Sequence, residues 1–220
     1  MKPRVSNQKT AAMTLTEVLA VIVVLFVLAV IFLNDGNGPV SKQAAQRINC
    51  INNLKQIGLS YRVWEGDHGD KYPMQTSVTN GGTMELANGM NAWINYSVMS
   101  NELSTPKVCI CPADTGKIAA TNFTTDFNNS KISYFVNLDA DDAYPQMFLS
   151  GDDNFAVGGV PVKSGLLEFS TNAPVTWTAE RHKNTGYIAL SDGSVATVNN
   201  SMLTDWFHQI GSFTNRIAIP

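Results

Sequence analysis

The sequence predicts an α+β chain: a long N-terminal helix, membrane-embedded in its first part and amphipathic in its second, packed on a small antiparallel β-sheet head. Three observations predict it. An apolar block runs from Val18 to Leu33 without a polar residue. Apolar residues then recur every three or four positions from Ala44 to Trp64, the period of a helix with one buried face. Short apolar runs follow, ending in a hairpin pattern between Tyr187 and Val198.

The chain opens with a basic stretch, residues 1–12, which carries Lys2, Arg4 and Lys9 and no acidic residue. Positive charge ahead of an apolar block holds an N-terminus in the cytoplasm. A secretory signal peptide fits poorly, because the block ends Ile31-Phe32-Leu33-Asn34 with no small-residue cleavage site. At about 1.5 Å per residue, Val18–Leu33 spans roughly 24 Å, short of the roughly 30 Å hydrocarbon core. A transmembrane helix over 13–34 therefore has to include Met13 to Glu17, which sets Glu17 at the membrane edge. An ionisable residue there is costly and points to a function; its plainer role is to mark the cytoplasmic end of the span.

Residues 35–64 divide into a linker and a spine. Asn34-Asp35-Gly36-Asn37-Gly38-Pro39 is dense in helix breakers. Beyond it, Ala44, Ile48, Ile51, Leu54, Ile57, Tyr61 and Trp64 form one apolar stripe, with Lys42, Gln46, Asn49, Asn53, Gln56 and Ser60 opposite. Gly66, Gly69 and Pro73 close this helix.

The head, residues 65–220, is loop-rich. A short helix is expected around Val98–Leu103 and strands at Lys107–Cys111, Ser133–Leu138, Gln146–Leu149 and Leu166–Phe169. Tyr187–Leu190 and Val195–Val198 flank Ser191-Asp192-Gly193-Ser194, where Asp-Gly suits a type I′ turn. Met202–Ile210 reads as a C-terminal helix.

Net charge is −3 with no basic cluster beyond the first residues, so nucleic acid is not an expected partner. Three cysteines, Cys50, Cys109 and Cys111, allow one bridge and one free thiol; C-x-C is not a zinc-ribbon or thioredoxin-type spacing. Cys109 and Cys111 would face the same side of a strand, so either could pair. His68, His182 and His208 sit in no G-x-S-x-G, H-E-x-x-H or P-loop context, and the chain does not read as an enzyme.

Asp139, Asp141, Asp142, Asp152 and Asp153 gather acidic oxygens in the head, and calcium is the cation such loops suit. No EF-hand spacing is present, and a solvated acidic loop is the plainer reading. No other cofactor is expected.

Four segments carry a family resemblance. Ala12-Met13-Thr14-Leu15-Thr16-Glu17-Val18-Leu19, set between basic leader and apolar block, resembles the type IV prepilin signal. Ala12 stands where that family has Gly, and Thr16 where it has an apolar residue. Cys50-Ile51-Asn52-Asn53-Leu54-Lys55-Gln56-Ile57-Gly58-Leu59, the Cys111-Pro112-Ala113-Asp114 turn and an H-x9-DG element (His182, Asp192, Gly193) resemble a pseudopilin-like family. The resemblance implies a pilin-like fold and cleavage between Ala12 and Met13 by a prepilin peptidase, with N-methylation of Met13. Glu17 would pair with the Met13 amine of a neighbouring subunit. A Cys50–Cys111 disulfide is implied too, with Cys109 free. His182 and Asp192 would either form a site, or supply a turn and brace the loop before it; the second reading weighs more.

The function so implied is a pseudopilin-like structural subunit of a type II secretion or type IV pilus-like filament. Its partners would be itself or other pseudopilins, the peptidase, an inner-membrane assembly platform and membrane lipid. Its place would be the bacterial inner membrane, single-pass, with a periplasmic head. The alternative is a single-pass membrane-anchored periplasmic binding module.

Overall fold

A computed structural model describes residues 14–33, 39–86, 91–169, 174–209 and 215–220. The chain divides into two compact units, Met1–Lys42 and Gln43–Pro220. The basic leader, Ala12 and Met13 lie outside the described residues.

In the first unit, α1 covers Leu15–Leu33. Its start is a capping box: the Glu17 carboxylate accepts hydrogen bonds from the Thr14 amide at 2.8 Å and the Thr14 hydroxyl at 2.9 Å. Thr-x-x-Glu is a helix-start signal, and it fixes the first turn at Leu15 rather than Met13. Among the described residues, no helix is long and apolar enough to cross a membrane. This corrects the expected transmembrane helix and, with it, the single-pass inner-membrane placement with a periplasmic head. The physical reason is length. With Thr16 and Glu17 in its first turn, the helix keeps only Val18–Leu33 as continuous apolar surface, roughly 24 Å against a core of roughly 30 Å.

The second helix, α2, covers Pro39–Asp67. In the second unit its buried stripe is Cys50, Leu54, Ile57, Tyr61 and Trp64, at steps of four and three. Ala44 and Ile48, expected on that stripe, are exposed, because the stripe begins only where the head begins to cover the helix. The opposite side is not wholly solvent-facing either. Gln46 donates to the Pro112 carbonyl at 2.9 Å and Asn53 to the Ile110 carbonyl at 2.8 Å, while Ser60 is buried.

The head continues through α3 (Ala92–Ser97) and α4 (Ser100–Leu103). Pro106–Cys109, expected to begin a strand, is a 3-10 turn. Thr105 caps it by accepting from the Lys107 amide, and Pro106 occupies its first position; Thr-Pro is a helix-start pair that outweighs the apolar run after it. Among the described residues, nine strands follow: β1 (Tyr134–Asn137), β2 (Phe148–Asp152), β3 (Phe155–Val157), β4 (Val160–Pro161), β5 (Gly165–Phe169), β6 (Val175–Trp177), β7 (Thr185–Leu190), β8 (Val195–Asn199) and, after α5 (Asn200–Gln209), β9 (Asn215–Ile219).

They form two antiparallel sheets, one of six strands in the order β5-β9-β1-β2-β7-β8 and one of three in the order β4-β3-β6. The expectation of one long helix on a small pilin-like sheet is thereby corrected to two separate helices and two sheets. Alternate residues of the central strands enter two cores. Tyr134, Val136, Leu149, Tyr187 and Ala189 pack with α2. Phe135, Phe148, Ile188 and Leu190 face the other way, against Phe155, Trp177, Val198 and Leu203. The large sheet is thus covered on both faces, which is why its central strands carry few exposed positions.

The β7–β8 hairpin closes through a three-residue loop, not a type I′ turn. Of Ser191, Asp192 and Gly193, only Gly193 takes a positive φ, +82°. Its amide donates to the Leu190 carbonyl, and the Leu190 amide to Ser194. Type I′ needs two left-handed residues, and Asp192 stays right of that region; one left-handed Gly after a turn gives the three-residue pattern instead.

Candidate functional site

Below the end of β2 and before the start of β7, charged and sulfur-bearing side chains meet inside the head. The loop entering β7 is shaped by Lys183 and Asn184, both left-handed at φ +55° and +61°. That double turn lays Arg181 and His182 back against the ends of β1 and β2. The Arg181 guanidinium reaches Asp114 Oδ2 at 2.6 Å and Asp153 Oδ1 at 2.5 Å, and donates to the Ser133 carbonyl at 3.0 Å. Lys117 Nζ meets Asp153 Oδ2 at 2.8 Å and also donates to the Ile132 carbonyl. Ser133 donates its hydroxyl to Asp114 at 2.8 Å. Arg181, Asp114 and Asp153 have side chains only 7–10% exposed, so this is a hydrogen-bonded buried ion cluster.

Beside it, Cys50 of α2 and Cys111 form a disulfide, while Cys109 is buried and free. Pro106–Cys109 is turned rather than extended, so strand alternation does not relate the two neighbouring cysteines. His182 Nε2 lies 3.3 Å from Cys111 Sγ and 3.7 Å from Asp152 Oδ2, and its ring meets that of Tyr187 edge-on. Burial, with Arg181 and Arg47 nearby, pushes the His182 pKa down to about 4. Burial likewise pushes Asp152 up to about 7, against the pull of Arg181 and of the Tyr187 amide, which donates to it at 2.8 Å. Each group is driven toward its neutral form. At neutral pH the imidazole carries no charge, so the His182–Asp152 approach is a polar contact and not an ion pair.

The H-x9-DG element does not make a single site. His182 precedes β7 and Asp192 follows it, so a six-residue strand of roughly 20 Å stands between them. Instead the element fastens α2 at two points. At one end are Cys50, Cys111 and His182. At the other, Gly58 of α2 sits against Gly193: a Cβ there would lie 3.4 Å from the Gly193 Cα and carbonyl oxygen. A lone Cβ there would make ordinary van der Waals contact with the hairpin loop, and a side chain reaching further toward it would have to displace it. The Cys50–Leu59 segment and the H-x9-DG element are thus the two sides of one contact.

The five aspartates proposed for calcium are not gathered. Asp139 holds Arg216 through its amide and guanidinium at 2.6–2.9 Å. Asp141 caps the Ala143 amide, Asp153 is held by Arg181 and Lys117, and Asp152 lies beside His182. Asp142 makes no shared site with them. Among the described residues, the group that draws metal-ligating atoms together is Cys50, Cys111 and His182, all within 4.8 Å of one another.

Arg181, Lys117 and Asp114 were not singled out by sequence reasoning for this role. Asp114 is the last residue of the Cys-Pro-Ala-Asp turn, and Arg181 immediately precedes His182; both adjoin recognised residues, and that adjacency is the available signal. In the first unit, Glu17 caps its own helix, and the Thr14 amide, followed by its hydroxyl, lowers the carboxyl pKa. No family model, curated protein or solved structure matches this chain.

Proposed function

We propose that this chain is a structural subunit of a pseudopilin-like filament of the type II secretion or type IV pilus kind, assembled through α1. The observation that carries this reading is the surface of α1. Its large apolar side chains from Leu15 to Ile31 are between 42 and 86% exposed, on every side of the helix. A helix apolar all round is one that ends up surrounded. One partner on one face would leave half of it in water. Several copies packed around each other cover it, and head-to-tail contacts that do not close extend into a filament. Burying each Val, Leu, Ile or Phe contributes about 1.5–3 kcal/mol, so the drive to associate is large. On α2, Ile48, Leu59 and Val63 add a second exposed apolar face, their spacings of eleven and four residues setting them in line.

In this reading a prepilin peptidase cuts between Ala12 and Met13. Glu17 then serves the bundle, because a carboxylate enclosed among apolar helices needs a partner. The Met13 amine of a neighbouring copy supplies it and sets the register. The Thr14–Glu17 box gives Glu17 a competing role within its own helix, and one substitution separates the two. Gln at this position still serves a capping box, but it has no charge.

The test is made on the full chain from the cell that produces it. N-terminal mass analysis is expected to find Met13 first, and sedimentation and electron microscopy are expected to find filaments. Glu17→Ala and Glu17→Gln should both be cleaved and both fail to assemble. A chain that keeps Met1 and sediments as a monomer would overturn the filament reading. Normal filaments from Glu17→Gln would reduce Glu17 to a cap.

A further inference from the structure

We propose that reduction of the Cys50–Cys111 disulfide converts this corner of the head into a zinc site, with Cys50 Sγ, Cys111 Sγ and His182 Nε2 as ligands and the Asp152 carboxylate as the fourth. Zn–S bonds of about 2.3 Å and Zn–N bonds of about 2.0 Å place tetrahedral ligand atoms roughly 3.3–3.8 Å apart. Cys111 Sγ and His182 Nε2 already stand 3.3 Å apart, and His182 Nε2 and Asp152 Oδ2 3.7 Å. The two sulfurs must separate, which cutting their bond allows, and Asp152, which lies outside the 4.8 Å group of Cys50, Cys111 and His182, must draw in toward them.

A second observation points the same way. Asp152 is fully buried, and its Oδ1 has no hydrogen-bond partner. A buried carboxylate oxygen without a donor is costly, and a neighbouring cation would offset that cost. Two thiolates and an imidazole favour a borderline-soft ion over calcium or magnesium. The positive charge of Arg181 does not oppose the ion, because it is met by Asp114 and Asp153. A recess of about 160 Å³, lined by Arg47, Ala113, Arg181 and His182 among others, reaches the site on its His182 side, while both cysteines stay buried behind it.

The chemistry balances with a small dithiol as reductant. It passes two electrons and two protons to the Cys50–Cys111 bond and is itself oxidised to a cyclic disulfide. Zinc then displaces the two thiol protons to water as the Zn–S bonds form. A small-molecule disulfide reverses the exchange: it takes the two electrons and is reduced to its thiols, the Cys50–Cys111 bond re-forms, and the ion is expelled. The helix-to-loop fastening is thereby kept in both states, covalent in one and metal-bridged in the other.

The test uses the full chain, reduced by a dithiol under argon, desalted, and titrated with cobalt(II) and then zinc. The expected result is about one cobalt per chain, with tetrahedral d–d bands and thiolate-to-cobalt charge transfer, both lost when zinc is added. The oxidised chain should take up none, and Cys109→Ser should behave as the parent. His182→Ala and Asp152→Asn should each weaken binding at least about tenfold. If reduction unfolds the head, near-UV circular dichroism should show zinc restoring it. A folded, reduced chain with two reactive thiols and no cobalt spectrum would overturn the site. So would an unfolded one that zinc does not restore, or an unchanged spectrum in His182→Ala.

Discussion

Two regions of this molecule break the usual partition of apolar and polar residues, in opposite senses. In α1, valines, leucines and isoleucines face outward from Leu15 to Ile31. At the junction of β1, β2 and β7, an arginine, three aspartates and a histidine are turned inward. The difference lies in where the compensation comes from. The inward charges find nearly all their partners within the head, through Ser133, Lys117, Asp114 and Asp153. The outward apolar surface finds none within its own helix, since an apolar face is satisfied only by more apolar surface. One region is finished by folding and the other by association.

The strongest test of the finished region is to unfasten it. The disulfide closes a loop with a sequence separation of 61 residues, and loop entropy alone assigns it about 4 kcal/mol. Cys50→Ala with Cys111→Ala should lower the unfolding free energy by about that amount in urea titration without added metal. A loss below about 1 kcal/mol would mean that α2 is held by packing and the Gly58–Gly193 contact instead. Next in size is Arg181→Met, which leaves Asp114 and Asp153 buried without their shared cation. Removing one partner of such a pair costs about 3–5 kcal/mol. With each side chain retaining 7–10% exposure, the lower end, about 3 kcal/mol, is expected. Adding Asp114→Asn should return part of the loss, because Asp153 keeps Lys117 while Asp114 loses its cation. If the double variant is no more stable than Arg181→Met, the aspartates are relieved by water and the region is less closed than its geometry implies.

Legibility from sequence follows the same division. The α2 stripe from Cys50 to Trp64 and the β7–β8 hairpin are local patterns, and they stand close to where periodicity and turn chemistry put them. Ala44 and Ile48 fit the period but are exposed, because a period shows which face is apolar and not how far the cover extends. Strand β2 was read only at its apolar start. Ser150, Gly151 and Asp152 look like loop, yet they are buried through long-range bonds to Tyr96 and Tyr187. The same non-locality hid the site. The resemblance joined Cys50 to Cys111, but His182 and Asp152 drew notice separately, and their meeting with the cysteines depends on a left-handed turn at Lys183–Asn184. The membrane span failed for a local reason: the Thr14–Glu17 box starts the helix too late to reach the needed length.

Asp192 offers the smallest test and a contrast to the buried carboxylates. It is an exposed acid whose partners are local: the Ser194 hydroxyl and then the Ser194 amide, which donates at 2.8 Å, hold its pKa below the usual value, with Arg62 of α2 adding to the effect. A carboxyl whose pKa is lowered on folding stabilises the fold above its unfolded pKa of about 3.9. That contribution is lost as pH falls through the lower folded value. Asp192→Asn should therefore be slightly less stable than the parent at neutral pH, by about 0.5 kcal/mol or less once solvent screening is counted. Urea midpoints measured down to about pH 2 should show the two curves converging. Curves that diverge in acid would mean that Asp192 is stabilised by its protonated form, the behaviour expected of Asp152 inside the head and not of a turn at the surface.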